Sequence, residues 1–276
     1  MQVFLFVIVG LISGGLGAMV GLGGGVIIVP ALTLFCGVPI RQAIAASLVA
    51  VIATSITAAI GYVREGFANI RLGMTLEIST SIGGMLGGLT AAALNREVLS
   101  GIFGVALGLI SGYLLVRHRI ADSYTLSCEQ GLLGGCYYDP SLGKEVHYRV
   151  RRLPVGLLAS FIAGNISGLL GVGGGFIKVP TLIIAMGIPV KAAIATSSFM
   201  IGITACAGAY IYYTRGMVNP LVAVPVTLGV TAGAYISSRL APRVKSVYLT
   251  IILAIILLGL SIQMLLAAFG INLLGQ

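Results

Sequence analysis

The sequence predicts an all-α polytopic membrane protein built from two inverted repeats, each a Gly-broken helical hairpin followed by three spanning helices. Three observations carry this reading. Hydrophobic residues make up 58% of the 276-residue chain and charged residues only 8%, with a mean hydropathy of +1.10. A water-soluble domain of that composition would aggregate. Apolar stretches of spanning length recur along the whole chain, and a Gly-rich phrase is written twice, about 150 residues apart.

The apolar stretches fall at residues 3–20, 42–63, 72–94, 98–116, 153–170, 191–214, 219–240 and 246–269, against the roughly 20 residues a helix needs to cross a bilayer. Met1-Gln2-Val3-Phe4 carries no basic segment of the kind that opens a secretory signal. The first stretch therefore reads as a retained helix. Two shorter pieces, 26–36 and 176–187, follow the Gly-rich phrases.

Those phrases are Gly21-Leu22-Gly23-Gly24-Gly25-Val26-Ile27-Ile28-Val29-Pro30 and Gly171-Val172-Gly173-Gly174-Gly175-Phe176-Ile177-Lys178-Val179-Pro180. Continuous helix satisfies every backbone polar group, so a break at membrane depth must be buried in protein or line a cavity. Paired breaks at matching places in two halves point to a transporter's binding site. Aligning 14–69 with 164–219 without a gap gives about 20 identities in 56 positions. Among them are Gly37/Gly187, Pro39/Pro189, Ser47/Ser197, Thr54/Thr204 and Asn69/Asn219. Beyond this window the alignment expects a slightly shorter second half, with Gly83 and Gly87 matching Gly229 and Gly233.

Loop charge orients the halves. If each Gly-rich segment turns back as a hairpin, each half crosses an odd number of times and the repeats are inverted. Roughly twelve loop cations, Arg64, Arg71, Arg117 and Arg149 among them, then share one face, against three, Arg41, Arg96 and Arg215, on the other. A single crossing there would divide them roughly nine to six. The inverted arrangement fits the positive-inside rule, and it makes residues 117–152 a cytoplasmic loop between repeats at 1–116 and 153–276. Within that loop, Cys136-Tyr137-Tyr138 and Glu145 to Val150 flank a turn-rich Asp139-Pro140-Ser141-Leu142-Gly143, which predicts a small β-hairpin.

Most of the 40 glycines read as packing residues, as in Gly84-x3-Gly88 and Gly104-x3-Gly108. The net charge of +9 belongs to scattered loop residues with no aromatic platform, so a nucleic-acid partner is not expected. No cofactor is expected either. His118, Cys128, Cys136 and His147 share the central loop, but the spacing of the two cysteines matches no common zinc pattern. Both histidines lie in that loop, so no apolar segment offers a nucleophile with its base, and an enzyme is not expected.

With G-x-G-G-G-x-I-x-V-P repeated, Gly187-x-Pro189 and Ala195-Thr196-Ser197-Ser198, the chain resembles the sulfite exporter TauE/SafE family over essentially its whole length. The resemblance implies a bacterial or archaeal multi-pass plasma-membrane permease for small anions, often sulfur-containing. It leaves the substrate of this member open.

The residues suggest how an anion is held. A short helix starts after each break, at Val26 and Phe176 by the apolar pattern, and a helix start offers free N–H groups and partial positive charge. Gly23, Gly24, Gly25 and Gly173, Gly174, Gly175 can therefore cradle an anion through the backbone, or only let the hairpins cross closely. Lys178 is the one basic residue deep in an apolar segment, with Ile28 at its counterpart. Its partner is expected to be an anionic substrate; the alternative is that it snorkels or pairs with backbone carbonyls at the hairpin end. Ser47, Thr196, Ser197 and Ser198 lie early in the helices after the breaks, and the duplicated Ser47/Ser197 pair is the favoured substrate contact. Glu77, the sole carboxylate inside a spanning segment, is a candidate for proton coupling, although snorkelling or pairing with Arg71 is the favoured reading. Asn165 is a candidate cavity residue. The expected function is a secondary transporter of a small anion working by alternating access, with a passive anion channel as the alternative; the sequence leaves open an H⁺ or Na⁺ coupling ion and a homodimer.

Overall fold

The computed structural model describes residues 2–20, 23–117, 133–139, 144–240 and 246–269. Among these, ten helices run as α1 (Gln2–Val20), α2 (Gly25–Leu34), α3 (Ile40–Arg64), α4 (Ile70–Ala93), α5 (Arg96–Arg117), α6 (Leu153–Leu170), α7 (Gly175–Pro180), α8 (Val190–Thr214), α9 (Pro220–Leu240) and α10 (Ser246–Ala268). Four of them, Ile40–Arg64, Leu153–Leu170, Val190–Thr214 and Pro220–Ser237, are long and apolar enough to cross a membrane by length and composition. Many large apolar side chains face outward, among them Ile78, Leu109, Leu221 and Leu228. A lipid-facing surface explains this where a water-facing one would not.

Each helix of the first half has its counterpart about 150 residues on, α3 starting at Ile40 and α8 at Val190, α4 at Ile70 and α9 at Pro220, α5 at Arg96 and α10 at Ser246. The halves interlock by exchange. Helix α1 lies along α9, and α6, its counterpart, lies along α4. Ser111 Oγ donates to the Ala254 carbonyl at 2.8 Å, and its counterpart Ser261 Oγ donates to the Gly104 carbonyl at 2.7 Å. A contact from the first half to the second that recurs from the second to the first is the signature of a two-fold rotation. Helices α3 and α8, which are mates under that rotation, run antiparallel, since Leu48 packs on Gly208 while Ser55 bonds the Ser198 carbonyl.

The same reciprocity corrects the sequence register of α4 and α9. Gly83 packs on the Phe161 carbonyl, and Gly233 on the Leu11 carbonyl. Gly87 meets the Asn165 carbonyl, where Ser237 Oγ instead donates to the Gly15 carbonyl at 2.8 Å. Gly229 meets the Val7 carbonyl, where Ser79 Oγ donates to the Leu157 carbonyl at 2.8 Å. Gly83 therefore matches Gly233, Gly87 matches Ser237, and the second half is not shorter here. At each of these points the neighbouring backbone admits only a hydrogen atom or a hydroxyl that bonds it.

The expected hairpins are present. Helix α2 returns antiparallel along α1, with Gly24 on the Ser13 carbonyl, and Gly174 likewise faces the Ala163 carbonyl. The short helices begin at Gly25 and Gly175, one residue before the pattern predicts. Helix α2 stays α-helical through Pro30 to Leu34, whereas after Pro180 the second copy widens into a π-helical run, Thr181–Ala185. In the central loop, Gly135–Asp139 (β1) pairs antiparallel with Lys144–Tyr148 (β2) in the predicted place. Tyr137, Val146 and Tyr148 pack on Leu72, Leu76 and Ala192. Asn69 fastens this hairpin, its Nδ2 donating to the Leu133 carbonyl at 2.9 Å and to Tyr148 Oη at 3.2 Å. Burial pushes the Tyr148 phenol up, and the bond from Asn69 partly opposes that shift.

Candidate functional site

Both Gly-rich breaks turn through left-handed backbone, with φ of +73° at Gly23 and +78° at Gly24, +84° at Gly173 and +71° at Gly174. A side chain would be strained there. The breaks meet on the two-fold. Gly23 and Gly173 face the same two side chains, Val51 of α3 and Ile201 of α8, which are themselves mates. Gly25 lies against the Gly171 carbonyl and Ser47 Oγ.

The six glycines therefore divide by role. Gly24 and Gly174 let each hairpin close on itself, and Gly25 lets the two breaks touch. Gly23 and Gly173 alone face the shared centre. The two breaks come together as expected, but part of the space between them is filled by backbone. In α2 the first helical bonds from the break are those of Ile27 and Ile28, both to the Gly24 carbonyl at 3.1 and 3.2 Å.

Beside Gly23 a cleft opens, lined by Gly17, Thr54, Ser55, Ser198 and Ile201, and running along α3 past Ala58 to Tyr62. Its walls are small and hydroxyl-bearing. Thr54 Oγ1 donates toward the Gly23 carbonyl at 3.1 Å and the Val51 carbonyl at 2.9 Å. The mate positions on the other side of the two-fold are closed. Leu48, mate of Ser198, packs on Gly208, mate of Ala58. Tyr212, mate of the half-buried Tyr62, is fully buried, and its hydroxyl donates to the Gly168 carbonyl at 3.2 Å. Two halves of like sequence thus hold one cleft open and one shut.

Lys178 corrects the sequence reading. Its ammonium reaches no backbone carbonyl among the described residues; it donates to Thr204 Oγ1 at 2.7 Å and lies 3.7 Å from Glu77 Oε2. Glu77 likewise does not snorkel to the protein surface, and its ion partner is Lys178 rather than Arg71. It is 3% exposed, and its Oε1 accepts from Thr204 Oγ1 at 2.7 Å and from Ser81 Oγ at 3.3 Å. Burying either charge alone would cost several kcal/mol, so each supplies the other's counter-charge. Across the two-fold the mates of Lys178, Thr204 and Glu77 are Ile28, Thr54 and Thr227, so the charged cluster belongs to one side of the two-fold only.

The hydroxyl candidates are mostly engaged elsewhere. Ser47 Oγ donates to the Gly171 carbonyl at 2.8 Å and so ties α3 to the second break. Thr196 Oγ1 accepts the Asn69 backbone N–H at 3.0 Å, a strut from α8 to the start of α4 and the β-hairpin. Ser197 Oγ is buried with no partner among the described residues; Gly21, which matches Gly171 in the repeat, lies outside them. Asn165 is half-buried and its backbone packs on α4 through Gly83 and Gly87. Of the loop's four His and Cys residues, His118 and Cys128 lie outside the described residues, and His147 sits 3.5 Å from Glu145. Sequence reasoning passed over Thr54, Ser55 and Tyr62. The duplicated Thr54/Thr204 and Tyr62/Tyr212 identities were the available signal.

The comparisons with known proteins point to membrane transporters. The chain matches the family described as "Sulfite exporter TauE/SafE" over residues 6–264. It is 27% identical over 271 residues to "Probable membrane transporter protein YunE" of Bacillus subtilis, covering 96% of this chain and 97% of that protein. It is 27% identical over 270 residues to "Probable membrane transporter protein MJ0441" of Methanocaldococcus jannaschii, covering 91% and 92%. A third relative, "Probable membrane transporter protein YdhB" of Bacillus subtilis, is 24% identical over 261 residues, covering 92% and 99%. No solved structure matches the chain. A break-centred two-fold fold, apolar outward faces and a family match across nearly the full length lead to one assignment: the chain belongs to the sulfite exporter TauE/SafE family and is a multi-pass membrane transporter, not an enzyme.

Proposed function

We propose that this protein is a secondary carrier that moves a small anion, organosulfur or sulfite-like, across a bacterial or archaeal plasma membrane by alternating access. The observation that carries the reading is the unequal state of two equivalent clefts, with Tyr62 half-buried at the open one and Tyr212 sealed against Gly168 at the other. Two-fold mates of like sequence can exchange these states at small energetic difference, and the exchange moves access from one face to the other.

In this reading the repeats are inverted. The antiparallel mates α3 and α8 support that orientation, because an axis relating them lies across the helices and hence in the membrane plane. Loop charge assigns the end of α3, with Arg64, to the cytoplasm. The cleft running from Gly23 toward Tyr62 then faces inward. The substrate lies where Gly23 and Gly173 converge over Val51 and Ile201, with Thr54, Ser55 and Ser198 as neutral donors that release it again. An anion is favoured because Lys178 lies one helical turn beyond the second break, and the family's description names sulfite.

Counterflow in proteoliposomes tests the carrier. Preloading with sulfite, thiosulfate, methanesulfonate or isethionate is expected to accelerate uptake of the labelled anion from the other side. Single-channel currents without such acceleration would establish a passive pore instead.

A further inference from the structure

The paired charges invite a closer look, because Thr204, which joins them, is the mate of Thr54 at the open cleft. Glu77 and Lys178 thus stand at the closed counterpart of the substrate cleft. Their geometry is close but incomplete. The ammonium makes one hydrogen bond among the described residues, to Thr204, leaving two of its three protons unassigned. Among the described residues Glu77 Oε2 is buried without a hydrogen bond, and at 3.7 Å it faces Lys178 beyond hydrogen-bond reach.

We propose that an anionic substrate replaces Glu77 as the counter-ion of Lys178, and that Glu77 takes up one proton in the same event. The inference rests on the carrier reading above. Its basis is charge conservation in a buried site: lysine and glutamate together are neutral, so a monovalent anion joining them leaves one uncompensated negative charge in a low-dielectric interior. A proton taken from the external solution by Glu77 Oε2 restores neutrality, and the two unassigned ammonium protons turn to the anion. Thr204 holds Glu77 Oε1 throughout, so the carboxyl is kept beside the site in both states.

The surroundings favour Glu77 as the group that titrates. Helix α6, packed along α4, carries no titratable side chain. Helix α8 presents Thr204 and the Cys206 thiol, α4 itself presents Ser81, and α7 presents Lys178. The two-fold equivalents are only Ile28, Thr54 and Thr227, none of them charged. One charged pair per carrier predicts one proton per monovalent anion, and so electroneutral symport.

The test uses the full-length protein in proteoliposomes with a pH dye inside, and methanesulfonate or isethionate outside, both ionised across the working range. The expected result is lumen acidification at about one proton per anion, with initial rates unchanged by potentials imposed with valinomycin and potassium. The uptake rate should approach a tenfold rise per unit fall in external pH where proton binding limits, and Glu77→Gln should flatten that slope. Uptake without acidification, sped by an inside-positive potential, overturns the coupling and leaves the carrier intact; so does a Glu77→Gln protein with the wild-type slope. Movement of neither sulfonate overturns the coupling as stated, while counterflow of sulfite or thiosulfate separately decides whether the carrier reading survives.

Discussion

Tyr212 donates its hydroxyl proton to the Gly168 carbonyl across 3.2 Å, and in doing so seals the second-half cleft. The bond ties α8 to the C-terminal end of α6, next to the second Gly-rich break. Its loss should be visible as a change in which face of the protein water reaches.

With the four native cysteines changed to serine, Ser55→Cys is expected to react with a maleimide entering from the cytoplasmic side. Ala205→Cys, at the mate position and fully buried, should stay protected. Adding Tyr212→Ala should expose Ala205→Cys and slow labelling of Ser55→Cys. Equal labelling of the two sites in the parent protein would remove the case for unequal clefts.

Lys178→Met leaves Glu77 buried without its counter-charge, an arrangement that costs about 3–5 kcal/mol in buried pairs. We expect a large drop in melting temperature in detergent, with much of it recovered in Lys178→Met/Glu77→Gln. Both proteins should fail to concentrate anion against a gradient. A double variant as unstable as the single one would show that the two residues do not compensate each other.

Gly87→Ala places a methyl group into the Asn165 carbonyl, with backbone on both sides and nothing flexible to move. Overpacking of this kind costs about 1–3 kcal/mol. Gly259→Ala meets nothing within 4 Å and serves as the matched control. Thermal unfolding followed by size-exclusion chromatography should separate the two, the first lowered and the second unchanged.

Asn69→Ala removes the two bonds that hold the β-hairpin and the side-chain cap that receives the Leu72 N–H at 3.0 Å. Hydrogen exchange at residues 133–139 and 144–148 should quicken, while α5 and α10 keep their protection. Unaltered exchange in the strands would mean that Tyr137, Val146 and Tyr148 hold the hairpin through packing alone.

The helices and the hairpins were legible in the sequence because a break in an apolar run leaves few physical alternatives. The register of α4 against α9 was misread for a specific reason: Gly-x3-Gly in one helix was matched to Gly-x3-Gly in the other. In space Ser79 and Ser237 occupy positions where the mate is glycine, since a hydroxyl bonded to the facing carbonyl does the same job as a missing side chain. The Glu77 and Lys178 pair was hidden for a different reason. Neither residue has a charged counterpart in the other half, so the alignment of repeats could not bring them together. One carboxylate and one ammonium deep in the apolar segments were a hint in themselves, because two such charges stay buried most cheaply side by side.

The exchange of helices between halves also bears on how the protein is made. Helix α1 leaves the ribosome well before the partner it lies along, α9. Until then its glycine face, with Gly10 and Gly14 shaped to the backbone of Val226 and Val230, has no surface to meet. The first repeat is thus inserted as an unfinished body that waits in the bilayer for the second. A duplicated ancestor encoding one repeat would have met the same need with a second copy of itself, and fusion of the copies turned an encounter between chains into a delay along one.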